Sequence, residues 1–147
     1  MTFGPIVHPI NSVDELNESS ATLWSIAKGN KPLPVSRVPF WIDVRDLAKA
    51  HVEALIRPEA GGRRYVPASP ERFSYAKAAQ IMLDRFESLK GKVEADSQVI
   101  DESYGLDGET VAEELGLELH TFQDTVTDLI SQTLAMETND KIKGPMK

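Results

Sequence analysis

The chain contains no cysteine. Disulfides, thiol nucleophiles and cysteine-ligated zinc are thereby excluded. It is also short of positive charge: 16 lysines and arginines stand against 23 aspartates and glutamates, a formal net charge of −7. A phosphate backbone or an anionic bilayer surface calls for a basic face, so neither nucleic acid nor a membrane is an expected partner. No apolar run approaches the roughly 20 residues of a bilayer span. The N-terminus, Met1 to Pro5, lacks the charged-then-apolar layout of a secretory leader. The three histidines are widely spaced and have no paired carboxylate pattern, so no metal site is expected. Together these absences point to a soluble cytoplasmic protein. Its 147 residues make one domain, able to bury about two-thirds of its unfolded surface.

What is present reads as helices joined by proline-rich segments. The first 15 residues hold Gly4, Pro5 and Pro9 and read as irregular or extended. Asn17 is a helix N-cap ahead of Leu23, Trp24, Ile26 and Ala27, and Gly29 closes that run. Three prolines between Lys31 and Pro39 forbid a regular helix. Phe40-Trp41-Ile42 is a strand candidate. Asp43 caps the clearest helix, with Asp46 as a capping-box partner. Its apolar face is Leu47, Ala50, His51, Ala54 and Leu55, and Pro58 and Gly61-Gly62 end it. Arg63 to Pro67 is a second strand candidate, and a third lies near Val93. Ser74 caps a helix that turns Ala78, Ala79, Met82, Leu83 and Phe86 inward. Asp107 caps a short helix closed by Gly116. Thr121 and Asp124 form a capping box ahead of the stripe Phe122, Val126, Leu129, Ile130 and Leu134. The expected fold is α+β, with about five helices and two or three short strands over residues 1–138, then a flexible tail over 139–147. No strand candidate has the long hydrophobic run of a central parallel strand.

The segment Phe40-Trp41-Ile42-Asp43-Val44-Arg45-Asp46-Leu47-Ala48-Lys49-Ala50-His51 resembles the D-V-R-D-x-A-x-A-H stretch of extended short-chain dehydrogenase/reductases. The nearest group is the fungal NADP-dependent aldehyde and ketone reductases, akin to the cinnamoyl-CoA and dihydroflavonol reductases. Further segments fall in the same order. Phe3-Gly4-Pro5 is similar to the F-G-P after the sixth core strand, and Asn17-Glu18-Ser19-Ser20 to the next helix. Pro58 to Tyr65 resembles the lead into the last core strand, and Phe73-Ser74 opens a matching helix. The resemblance implies a substrate-side domain without a complete Rossmann fold. It also implies where the departures lie. The family seats its dinucleotide on a glycine-rich turn ahead of a helix, whereas the only adjacent glycines here, Gly61-Gly62, follow a helix. The family's Tyr-x-x-x-Lys has no counterpart, since Tyr75-Ala76-Lys77 has the wrong spacing and sits on a helix expected at the surface. No cofactor is therefore expected on these residues.

Candidate chemistry falls on few side chains. His8 follows Phe3-Gly4-Pro5, which the resemblance sets beside nicotinamide and substrate, and its loop position leaves it free to face a pocket. Asp101 and Tyr104, with Glu102, lie in a segment that the resemblance brings near the substrate cleft. His8, Asp101 and Tyr104 are the candidate catalytic groups. Phe3, Trp24, Phe40 and Tyr65 are candidate substrate-binding residues, although large aromatics are commonly plain core. His51 reads as a packed structural histidine and His120 as an exposed one. Asp43, Arg45 and Asp46 read as cap, ion pair and helix-dipole residues.

The leading functional expectation is a repurposed pocket protein that isomerises, dehydrates or cyclises a small hydrophobic carbonyl compound without a cofactor. The alternatives are a binding subunit that pairs with a separate cofactor half, an NADP-dependent oxidoreductase, and a gene remnant. A homodimer is also expected. The Arg63 to Pro67 strand and the helix beginning at Asp43 would each leave a surface uncovered, and two-fold symmetry covers both copies at once.

Overall fold

A computed structural model describes the backbone of residues 1–143 and the side chains through Asn139. The elements in chain order are β1 (Thr2–Phe3), α1 (Glu18–Ala27), β2 (Ile42–Asp43), α2 (Val44–Ile56), α3 (Tyr75–Arg85), α4 (Gly108–Leu115) and α5 (Phe122–Lys143). Short 3-10 turns stand at Val13–Glu15, Pro58–Ala60 and Glu87–Leu89. The fold is α+β and mainly helical.

Helix starts follow their caps. Asn17 accepts the Ser20 N–H at 3.0 Å, Asp43 that of Arg45 at 2.8 Å, Ser74 that of Lys77 at 3.0 Å and Asp107 that of Thr110 at 3.0 Å. Thr121 accepts from the Asp124 N–H at 3.1 Å and returns its hydroxyl to the Asp124 carboxylate at 2.7 Å. Each of these bonds satisfies a backbone donor that the helix itself leaves unpaired. Gly116 (φ 63°) and Gly29 (φ 85°) end α4 and α1 in the left-handed region. At Gly29 a Cβ would stand 2.7 Å from the Lys92 carbonyl oxygen.

The core lies between α1, α3 and α5. Leu23 and Ile26, Ala78, Ala79 and Met82, and Phe122, Val126, Leu129 and Ile130 are all buried there. Leu83, Phe86 and Leu134 pack against its edge. An aromatic group closes one end: Phe3 meets Phe73 at 5.0 Å and Phe122 at 6.1 Å between ring centres, and Trp41 meets Phe122 at 5.0 Å.

The strands depart from expectation. Only Ile42 and Asp43 of the first candidate form a strand, and they pair in parallel with Thr2 and Phe3, in the register Thr2 to Ile42 and Phe3 to Asp43. Arg63 to Pro67 has no regular secondary structure, and no described segment pairs with it in a ladder. Val93 is buried behind the Glu87–Leu89 turn and bonds back to the Leu89 carbonyl. At the C-terminus α5 continues through Lys143, so residues 139–143 are helical backbone rather than tail. Residues 144–147 lie outside the described residues. No helix among the described residues is long and apolar enough to cross a membrane.

Leu129 is fully buried between three helices. Leu129→Ala should lower the unfolding free energy by about 2–5 kcal/mol, read as an earlier urea midpoint with an unchanged slope.

Candidate functional site

The buried carboxylate of Asp43 organises the end of the molecule where the two strands pair. It is 1% exposed. Arg45 grips it with Nε at 2.9 Å and Nη2 at 2.8 Å, and the Thr125 hydroxyl donates to it from α5 at 2.7 Å. Arg45 also reaches Asp128 at 2.7 Å. Burial alone would push the Asp43 carboxyl up. The hydrogen bonds from Arg45 and Thr125 outweigh it and hold the group below the usual carboxylate range. Gly4 (φ 129°) runs past this carboxylate so closely that a Cβ would stand 2.9 Å from Val44 and 3.1 Å from Asp43.

A second buried carboxylate ties α2 to the approach of α5. Asp46, 3% exposed, accepts from the backbone N–H of His120 at 2.8 Å, with His120 Nδ1 at 2.6 Å. Asp46 is therefore a tertiary anchor and not the capping-box partner expected of it. His120 is half-buried and paired rather than free. His51 is the reverse: it is exposed, and its Nδ1 bonds to the Leu47 carbonyl of its own helix at 2.7 Å. Helix α2 is rotated so that Ala50 faces inward while His51 and Leu55 face out.

The candidate catalytic groups do not converge. His8 is exposed and lines a small cavity of about 40 Å³ with Phe3, Gly4, Asn17, Ser20 and Val44. That loop is pinned to α5 by the side chain of Gln132, which accepts from Ile6 N–H at 2.7 Å and donates to its carbonyl at 3.1 Å. Asp101 lines a different cavity, of about 250 Å³, with Val35, Arg37, Pro39, Phe73 and Ile100. Hydrogen bonds from Ser103 hold its carboxyl below the usual range, so it is an acceptor at neutral pH. Tyr104 stands near Asp101: its hydroxyl donates to the Arg37 carbonyl at 3.1 Å, and Arg72 donates to the backbone carbonyls of both Asp101 and Tyr104.

The candidate substrate-binding residues are likewise dispersed. Phe3 is core with only an edge on the His8 cavity. Trp24 borders a cavity between α1, Leu89 and α5. Phe40 stacks edge-on against Tyr104 at 5.4 Å beneath the Arg72 guanidinium. Tyr65 borders a notch beside α2. Tyr75 is buried rather than at the surface, edge-on to Phe73 at 5.4 Å, and that burial raises its phenol.

Two residues with structural authority over the Asp101 cavity escaped sequence reasoning. Gln98 donates to the Pro34 carbonyl at 2.8 Å and accepts from Ala76 N–H at 3.1 Å. Arg72 gathers the 101–104 loop. Arg72 stands two residues before the helix-capping Ser74 and Gln98 lies 24 residues after it, so no local pattern in the sequence joins them.

No group of described residues could hold a metal ion. A dinucleotide pyrophosphate is commonly held by free N–H groups at a helix N-terminus. Here a side chain of this chain takes up one such N–H at each of the five helices, at α2 the anionic Asp43.

No family model matches the chain. It is 30% identical over 130 residues to an uncharacterised oxidoreductase of Schizosaccharomyces pombe, covering 87% of this chain and 38% of that one. It is 29% identical over 144 residues to the NADPH-dependent methylglyoxal reductase of Saccharomyces cerevisiae, covering 92% and 41%. The structure of Gre2 from Candida albicans in complex with NADPH superposes with a TM-score of 0.75 at 32% identity, over 92% of this chain and 41% of that one. The chain matches the C-terminal part of the fungal extended short-chain reductases. It spans about two-fifths of the length of the curated relatives it matches. In this reductase-like chain the F-G-P and D-V-R-D segments lie side by side: β1 and β2 are their strand portions, and Gly4 passes over the carboxylate that begins D-V-R-D.

The buried carboxylates carry two expectations. A folded-state pKa below the unfolded value of about 3.9 means that Asp43 stabilises the fold above that value and loses this as pH falls through the lower folded one. Asp43→Asn should therefore be less stable than the parent near neutral pH, and the difference should shrink in denaturation curves taken below about pH 4. His120→Ala strips Asp46 of its side-chain partner and should cost about 1–3 kcal/mol in the same measurement.

Proposed function

We propose that this chain forms the substrate-side wall of an NADPH-dependent carbonyl reductase, with the dinucleotide held by a part outside these 147 residues. The observation that carries this reading is the overlap with NADPH-complexed reductases. More than nine-tenths of this chain aligns with about two-fifths of theirs, and each helix N-terminus here carries a side-chain cap. The named relatives reduce methylglyoxal and isovaleraldehyde, so the substrate class is a small aldehyde. In this reading the residues around Phe3, Gly4 and His8 contribute one edge of the site. Gln132 fixes the loop and Asp43 fixes the strand pair beneath it. The chain's own part is to bind, orient and shield the carbonyl.

Cofactor-independent isomerisation, dehydration or cyclisation asks for more than the arrangement offers. It needs an acid or base and an oxyanion donor around one dry cavity. His8 and Asp101 border separate cavities, and the relatives are named as oxidoreductases or reductases. The reductase reading is the better supported.

The test is complementation. This chain is co-expressed with the remaining N-terminal part of a related fungal reductase, and aldehyde-dependent oxidation of NADPH is followed. The expected result is turnover that needs both pieces and falls when Gly4→Val closes the passage over Asp43. Turnover of a carbonyl substrate by this chain alone, with no NADPH consumed, would overturn the reading in favour of cofactor-free chemistry.

A further inference from the structure

Helix α5 turns one polar stripe toward the end of the molecule where the strands pair. Thr125, Asp128 and Gln132 follow i, i+3 and i+7 spacing, so they lie on one side of the helix. Each has a different partner there. Thr125 donates to the buried Asp43 carboxylate at 2.7 Å, and Asp128 accepts from Arg45 at 2.7 Å. Gln132, one turn further along, takes the backbone of Ile6. Its carbonyl oxygen accepts the Ile6 N–H at 2.7 Å, and its amide nitrogen donates to the Ile6 carbonyl at 3.1 Å. A side-chain amide bonded to both groups of one residue stands in for a neighbouring strand. It fixes the peptide planes on either side of Ile6.

The loop around Ile6 has little else to hold it. Among the described residues no hydrogen bond reaches Pro5, Val7, His8, Pro9 or Ile10. Pro5 and Pro9 stiffen the chain but bring no N–H of their own. Gly4 (φ 129°) turns the chain as it leaves β1. Ile6 also packs its side chain against the core. Beyond that anchor Val7 is 67% exposed, and His8 is exposed as well.

We infer that Gln132 is the positioning residue for the loop that presents Val7 and His8, acting through the Ile6 backbone. The bearing of this on substrate rests on the reductase reading, which it deepens: the edge of the site that meets the aldehyde is set from α5. One stripe then holds both parts of that edge in register. Thr125 and Asp128 fix Asp43 and Arg45 beneath the strand pair, and Gln132 fixes the loop that leaves it. Without Gln132 the polar groups of Ile6 return to water, and Val7 and His8 sample many positions. A loop that must be ordered at each binding event weakens binding by the entropy of ordering it. Once substrate is bound, the chemical step is the same. The signature of the role is therefore a raised KM with kcat held.

Two measurements keep the latch and the reductase reading apart. The first is amide hydrogen exchange on the full chain, followed by NMR. Gln132→Met keeps the side-chain length and removes both bonds, and Gln132→Asn keeps the amide but is too short to reach both groups. In each variant the Ile6 N–H should exchange about tenfold faster or more. The amides of Val126 and Leu129 in α5 should keep their protection, which shows an intact fold. Unchanged exchange at Ile6 in both variants overturns the proposal. The second is steady-state kinetics of the chain paired with the N-terminal part of a related reductase. Each variant should raise KM for the aldehyde roughly three- to tenfold, with kcat and the KM for NADPH unchanged. Faster exchange at Ile6 with an unaltered aldehyde KM overturns the positioning role, and so does a fall in kcat alone. No turnover from the unsubstituted pair contradicts the reductase reading instead, and the exchange at Ile6 still decides the latch.

Discussion

The Asp43 carboxylate is the constraint on which the rest of the molecule depends. A buried charge is costly unless each of its lone pairs finds a donor. Here the donors come from three directions: the first turn of α2 through the Arg45 N–H, the Arg45 guanidinium, and Thr125 of α5. Asp43 also ends β2 and pairs in register with Phe3. One side chain therefore joins a strand pair, a helix start and the longest helix. The same packing leaves room above it for glycine alone, which is why the chain crosses there at Gly4.

From this junction the molecule divides into two regimes. Around α1, α3 and α5 the interior is a conventional apolar core closed by Phe3, Trp41, Phe73 and Phe122. Helix α2 is attached differently. Few of its residues are buried, and its links inward are polar: Asp43 and Arg45 at its start, Asp46 to His120 one turn later. A helix held by its N-terminal polar contacts, with Val52, Leu55 and Ile56 left in solvent, has spare apolar surface that the fold itself does not use. The likeness to the fungal reductases and the open face of α2 are thus separate facts.

Much of the helical architecture was legible from local signals. Asn17, Asp43, Ser74, Asp107 and Thr121 all cap as their side-chain chemistry dictates, and the stripe Phe122, Val126, Leu129 and Ile130 is buried along its whole length. What local signals miss is pairing across the chain. Two-residue strands such as Thr2–Phe3 and Ile42–Asp43 are too short to show a period. Arg63 to Pro67 has the look of a strand, but a strand exists only beside another. The histidines show the same limit. His51 lies four residues after Leu47 on an apolar-looking face yet turns outward, while His120, ordinary in its own neighbourhood, meets a carboxylate 74 residues earlier. The candidate site was the least legible part, because His8, Asp101, Tyr104 and the four aromatics sit on loops and faces whose mutual placement no local pattern encodes.

The chain matches the C-terminal part of the fungal reductases, and the function proposed for it leaves NADPH to be held by a part outside these residues. Titration of the purified chain with NADPH, followed through the fluorescence of Trp24 and Trp41, tests it most directly. Both indoles lie in or beside the core through which α1 and the strand pair meet α5, so a ligand that orders this end would change their emission. The account predicts no saturable change up to millimolar nucleotide. Saturable binding in the micromolar range would contradict it.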